Sequence, residues 1–271
     1  MSNLTQRILT GIVGATVVMG AMWVGGWPFA ILMAAVALGA QWEVYGLLRA
    51  AGTHPLHWVG LALGLLAVLR PLVTEAVPLL TLGGLAVLLG VLYLRRDTPL
   101  LDASGTLFGV VYPAALAGAI LTLRLSEAAW LDGDAAFWLT AATLFCVWGA
   151  DSFAYFTGRA IGKHPLFPRV SPNKTWEGAV GGGVGAFALM AAFKGFALGE
   201  TVSWADVAFI GFACGVASQF GDLVESHFKR SVDVKDSATW LPGHGGLLDR
   251  IDAAVVAIPL VVLYFDLTRG L

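Results

Sequence analysis

Apolar runs of about 20 residues, the length a helix needs to cross a bilayer, recur along nearly all of this 271-residue chain. Nine candidate spans lie at roughly 8–25, 28–48, 57–73, 76–94, 105–125, 136–157, 176–197, 204–223 and 253–268. Lipid offers the backbone no hydrogen bonds, so each run must satisfy its own amides as a helix. The expected fold is an all-α polytopic integral membrane protein of about nine transmembrane helices, with cytosolic polar loops forming the active site. The third and ninth spans are the weakest, being short or close to a proline. Only 13% of the residues are charged, against about 25% in a soluble domain, which excludes an ordinary water-soluble enzyme. Cys146 and Cys214 sit within apolar runs and read as packing residues, not as a disulfide framework or a zinc site. The N-terminus reads as an uncleaved first helix rather than a signal peptide.

Lysine and arginine orient such a chain, because cytosolic loops retain them. With nine spans, the N-terminus and the loops after even-numbered helices hold Arg7, Arg49, Arg95, Arg96, Arg159, Lys163, Arg169, Lys174, Lys229, Arg230, Lys235 and Arg250. The other side holds Arg70, Arg124, Lys194 and Arg269. The N-terminus and both long polar loops are therefore expected in the cytosol, in a multi-pass protein of the cytoplasmic membrane. The chain is expected to divide by chemistry. Residues 1–135 form N-terminal helices with little beyond helix-end charges, and residues 136–271 form a catalytic region carrying both polar motifs.

The densest charge lies in SHFKRSVDVKDSATWLPGHGGLLDRID, Ser226 to Asp252. Charge beside lipid is costly, so such a block reads as a functional site. Asp222 and Glu225 are three apart and share a helix face, which Ser226 and Lys229 extend. Asp249 and Asp252 repeat that spacing at the start of the ninth span. Clustered hard oxygen ligands suit magnesium, which leaves coordination positions for substrate phosphates; alternatively, each acid pairs with Lys229, Arg230 or Arg250. Lys229, Arg230 and Lys235 offer cations to phosphate, or else anchor the chain to anionic headgroups. In Pro242-Gly243-His244-Gly245-Gly246 the glycines let amides approach an anion, and His244 could donate to phosphate or move a proton; a flexible turn is the plain alternative. Upstream, Asp151, Tyr155 and Arg159 fall on one face at the end of the sixth span. Gly158, Gly162, Lys163 and His164 then open a basic loop. Ser171-Pro172-Asn173-Lys174-Thr175 before Trp176-Glu177 reads as a helix cap and first turn, a ready anion site, or simply a capped helix with a topogenic lysine.

These residues resemble the signature of the phosphatidate cytidylyltransferase family. Ser226-x-Phe228-Lys229-Arg230, Lys235-Asp236, Ala238, Leu241-Pro242, His244-Gly245-Gly246-Leu247 and Asp249-Arg250-Ile251-Asp252 match it without departure. DSFAYFTGR and SPNKTWEG resemble the family's other polar motifs, so the likeness covers about the last two-fifths of the chain, and the N-terminal helices share only hydropathy.

The resemblance implies synthesis of CDP-diacylglycerol and pyrophosphate from CTP and phosphatidate, in phospholipid biosynthesis. It also implies magnesium, with a potassium ion implicated, and a polytopic protein that is often a homodimer; in-line displacement suits two metal sites, and no nucleic acid is an expected partner. On this reading a phosphate oxygen of phosphatidate attacks the α-phosphorus of CTP. Asp222 and Asp249 are the principal metal ligands, with Asp252, Glu225 and Asp151 as weaker ones. Lys229, Arg230 and Arg250 hold phosphates. Lys174, with Ser171, Asn173 and Thr175, holds the triphosphate; Lys235 and Arg159 add charge, and His244 with Gly245 and Gly246 closes over it. A related CTP-dependent enzyme acting on another lipid phosphate or a prenol is the nearest rival. A transporter would show paired broken helices in two related halves, and no internal repeat is visible.

Overall fold

The computed structural model describes residues 3–93, 97–238, 240 and 245–271, with side chains from Leu9 onward. Arg95, Arg96 and the Arg7 side chain, which entered the charge count, lie outside the described residues. Among the described residues the chain is mostly helical, with one small hairpin. In order come α1 (Asn3–Val24), α2 (Gly26–Ala50), α3 (His57–Val68), α4 (Ala76–Tyr93), α5 (Pro99–Arg124) and α6 (Ala135–Ile161). Strands β1 (Pro165–Phe167) and β2 (Ser171–Thr175) follow. Then come α7 (Trp176–Thr201), α8 (Trp204–Ser231), α9 (Leu248–Ile251) and α10 (Ala254–Arg269).

Among the described residues, six helices are long and apolar enough to cross a membrane: α2, α4, α5, α6, α7 and α8. The third expected span is a helix of only 12 residues followed by the 3₁₀ turn Arg70–Leu72. Such a helix reaches about 18 Å, short of the roughly 30 Å hydrocarbon core; Pro71, which cannot donate a helical hydrogen bond, sits in the turn that ends it. The eighth expected span runs eight residues past its expected end at 223, so Ser226, Lys229 and Arg230 lie on helix and not in a loop.

Three helices contain π-turns: Val110–Ala115 in α5, Lys194–Leu198 in α7 and Ala213–Ala217 in α8. Pro113 accounts for the first, since it lacks the amide hydrogen that an α-turn needs. In the third, side chains one turn on bond back to its carbonyls: Ser218 Oγ donates to Cys214 O and Gln219 Nε2 to Gly215 O, each at 2.5 Å.

The chain forms two compact units, Met1–Leu121 with Phe228–Ile251, and Thr122–His227 with Asp252–Leu271. The first is laced by polar bonds between apolar helices, a common means of joining helices where hydrophobic burial gives little. Gln41 Nε2 donates to Gly60 O at 2.7 Å and to the Tyr45 hydroxyl at 2.9 Å, and Tyr45 donates to Thr106 O at 2.9 Å, tying α2 to α3 and α5. Thr106 Oγ1 receives the Leu56 amide at 2.7 Å, and Asp102 Oδ1 receives the His54 amide at 2.7 Å.

The second unit is built on an apolar core that includes Leu139, Cys146, Ala186, Met190, Ile210, Cys214, Val261 and Phe265. The glycine-rich start of α7 lets backbones approach. A Cβ placed on Gly182 would lie 2.9 Å from Ala150 O, and one on Gly215 would lie 2.6 Å from Gly183 Cα. The hairpin was not expected. Thr175 caps α7, accepting the Gly178 amide at 3.1 Å, but Ser171–Thr175 is a strand paired with β1. An isolated hairpin is marginal; this one is bonded to its flanks, with the Trp176 amide donating to His164 O at 2.9 Å.

Because backbone cannot yield as a flexible side chain does, Gly182→Val should destabilise the protein by about 1–3 kcal/mol. Gly84→Val, where an added Cβ meets nothing within 4 Å, should stay within about 0.5 kcal/mol. Thermal unfolding in detergent would separate them, and equal midpoints for the two variants would refute the packing role.

Candidate active site

In the second unit, α8 brings Asp222 and Glu225 onto one face, as their spacing requires. Asp252 joins them, and ligand oxygens of all three lie within 4.8 Å of one another. Glu225 is fully buried, while Asp222 and Asp252 are half-exposed. Close packing makes this grouping: a Cβ on Gly221 would fall 2.4 Å from Asp252 O, so only glycine lets the Asp252 backbone approach α8 there. Ser226 Oγ donates to Asp222 Oδ1 at 3.2 Å, and the Ala253 amide donates to Asp252 Oδ1 at 2.7 Å.

The upstream motif meets this group through Lys174. Its Nζ lies 2.5 Å from Asp222 Oδ2, with both side chains partly exposed. Ser171 and Thr175 are half-buried and Asn173 is exposed on the same strand. Glu177 organises the preceding turn. It accepts the Lys163 amide at 3.1 Å and the His164 amide at 3.3 Å, and meets His164 Nδ1 at 2.6 Å. Asp151, Tyr155 and Arg159 line an exposed stretch of α6, where Arg159 donates to the Tyr155 hydroxyl at 3.0 Å.

In the first unit, Lys229 and Asp249 form a buried ion pair, Nζ to Oδ1 2.5 Å, with their side chains 10% and 6% exposed. Removing a charge from water is costly, so the pair persists only where other donors complete it. Asp249 Oδ2 accepts the Gly246 amide at 2.8 Å, the Ser237 amide at 3.2 Å and the Ser237 hydroxyl at 3.0 Å. Gly245 adopts φ 77°, a conformation that side chains resist. Arg230 is exposed and donates to Val234 O at 3.0 Å, which closes the turn after α8; Lys235 and Arg250 are exposed. His244 lies outside the described residues, as do Leu241, Pro242 and Gly243. The helix expected to carry Asp249 and Asp252 together ends at Ile251, and a turn at Asp252–Ala253 precedes α10.

Three polar residues of these sites escaped the sequence reading. Glu43, 3% exposed on α2, accepts the Leu247 amide at 2.8 Å, the Leu248 amide at 2.9 Å and the Ser237 hydroxyl at 2.7 Å. Its signal was available, since an ionisable residue inside an apolar span is by default a functional candidate. Ser237 stands at a position that the family signature leaves open. Gln219, 7% exposed, bonds to Ala179 O at 3.0 Å and joins α8 to α7, and nothing in its spacing marks it.

Carboxylates gathered with a lysine, together with a lysine-bound aspartate among loop amides, suit the binding of phosphates and a hard divalent cation. The sequence as a whole agrees with that chemistry. The model of the cytidylyltransferase family matches residues 5–268. A phosphatidate cytidylyltransferase of Brucella abortus biovar 1 (strain 9-941) is 38% identical over 97% of this chain and 94% of its own length. One of Bacillus subtilis (strain 168) is 37% identical over 98% of each chain, and one of Synechocystis sp. is 31% identical over 96% of each. The match spans the N-terminal helices as well as the polar motifs, and the chain belongs to the cytidylyltransferase family.

Proposed function

We propose that the protein is a phosphatidate cytidylyltransferase, which transfers a cytidylyl group from CTP to phosphatidate and releases pyrophosphate. Near-full-length likeness to enzymes of that name carries the reading, and the acidic group with its attached lysine supplies chemistry to match. A phosphate oxygen of phosphatidate attacks the α-phosphorus of CTP, the bond to the β-phosphate breaks, and pyrophosphate leaves. No covalent intermediate is required, because a phosphate monoester is already a nucleophile.

Asp222, Glu225 and Asp252 would hold magnesium: three carboxylates with oxygens within 4.8 Å fit a hard cation. Bound there, the ion supplies charge neutralisation to the reacting phosphates. Asp249 takes the ligand role that the resemblance implies once it gives up Lys229 or its Ser237 and Gly246 donors, and Asp151 a peripheral one. Lys174, on its hairpin strand, offers a partly exposed ammonium to the triphosphate, with Ser171, Asn173 and Thr175 as neutral donors. Lys229 holds the charge and orientation of Asp249. Arg230, Lys235 and Arg250 are exposed cations for lipid or nucleotide phosphates, and Arg159 stands on α6 for the same purpose. His244 and the glycines would cover the nucleotide.

The wider setting belongs to the same proposal. The chain is a multi-pass protein of the cytoplasmic membrane, its N-terminus and polar motifs face the cytosol, and it pairs as a homodimer with potassium as a further ion. The lysine and arginine imbalance supports that orientation.

Purified protein in mixed micelles should release pyrophosphate from CTP only with phosphatidate and magnesium, and chelation should abolish the release. Release independent of phosphatidate would refute the function. Phosphates of other lipids, offered in its place, should react poorly.

Asp222→Asn should lower kcat by about 100-fold or more, since even groups one step removed from a metal cost 10- to 100-fold. Asp249→Asn should do the same. A well-folded variant with full magnesium-dependent activity would refute that residue's assignment.

A further inference from the structure

Glu43 lies well inside α2, far in sequence from every polar motif. A carboxylate there costs several kcal/mol unless compensated. Its compensation comes from one segment of the family signature. Ser237 donates its hydroxyl to Oε2 at 2.7 Å, the Leu248 amide donates to Oε2 at 2.9 Å, and the Leu247 amide donates to Oε1 at 2.8 Å. Glu43 therefore grips both ends of the segment 237–248.

Asp249 grips the same two ends, through the Ser237 amide and hydroxyl at one and the Gly246 amide at the other. The Ser237 oxygen is thus within bonding distance of both carboxylates, yet it carries a single hydrogen. At any instant it donates to Glu43 or to Asp249. Gly246 fills the remaining space: a Cβ there would lie 2.1 Å from Ser237 Oγ and 2.3 Å from Glu43 Oε2. Two carboxylates, one hydroxyl and one glycine thus form a single clasp, in which a change at Glu43 passes through Ser237 to Asp249.

We propose that Glu43 is a positioning residue for cytidylyl transfer: it holds Ser237 and the Leu247–Leu248 amides so that Asp249, which shares Ser237, keeps a fixed geometry. The inference rests on the function proposed above and extends it to a helix without signature residues. An apolar side chain would fill the same volume at lower cost. What the carboxylate adds is direction, since charge-assisted bonds fix each donor more tightly than packing does. Glu43→Gln conserves shape but points an NH₂ group at one of the donors, so one side of the clasp must open.

The test uses full-length protein in mixed micelles with CTP, phosphatidate and magnesium. Glu43→Gln should lower kcat and kcat/KM together by about 100-fold, the effect of a displacement on the order of 1 Å. Hydrogen exchange should quicken about tenfold in peptides covering 237–248 and stay unchanged in peptides from α6. Ser237→Ala opens the same clasp, so the double variant should cost no more than the worse single one. If E43Q does not purify, S237A carries the kinetic and exchange arms alone.

Wild-type kcat in a folded E43Q, exchange that rises equally everywhere, or additive losses in the double variant would each overturn the role. Wild-type protein that makes no CDP-lipid would overturn the function instead, a failure visible before any variant is compared.

Discussion

A carboxylate enclosed in an apolar protein must be given donors, and much of this structure is arranged to supply them. Glu43 takes two amides and a hydroxyl, and Asp249 takes a lysine, two amides and the same hydroxyl. Asp206, 2% exposed, takes the Ser203 amide at 2.6 Å, the Tyr264 hydroxyl at 2.7 Å and the Arg269 guanidinium. Each acid joins segments distant in sequence. Because one missing donor would leave a buried charge uncompensated, these joints fix geometry more sharply than apolar contact between helices does.

Asp222 and Asp249 illustrate how solvent access divides the work among acids of one motif. Asp249 is nearly sealed and its oxygens are occupied, so in this state it acts on the segment around it. Asp222 is about 30% exposed and is met by a lysine that is itself 25% exposed. An ion pair open to water is worth little, and so is readily exchanged for another partner. Open and weakly held groups suit a substrate that must arrive and leave; sealed groups suit the frame around it.

The long apolar helices, the pairing of Asp222 with Glu225 and the Thr175 cap were legible because each follows from a local rule of length, spacing or capping. The family was legible from the signature, whose mixed polar types and glycines seldom arise by chance. Hydropathy alone could not see that α3 stops after 12 residues, because Leu69, Leu72 and Val73 prolong the apolar run while Pro71 breaks the helix. Nor could it see the hairpin, since Ser171–Thr175 has the composition of a cap and becomes a strand only by pairing with Pro165–Phe167. Glu43 showed in the sequence only as a charge inside an apolar span, and Ser237 not at all. Their importance lies in a contact across 194 positions of sequence, and spacing within one helix says nothing about such distances.

The π-turn at Ala213–Ala217 sets the phase of everything after it on α8. A π-turn holds one residue more than an α-turn, and one residue is about 100° of rotation about the helix axis. Asp222 and Glu225 begin five residues beyond it, so their bearing is fixed by that extra residue as much as by their own spacing. Ser218 and Gln219, bonded back to Cys214 O and Gly215 O, act as the detent that keeps the helix in this phase. Two sequences could carry identical acids at identical intervals and still aim them at different neighbours, depending on whether a stretch of small residues such as ACGVA winds loosely or tightly.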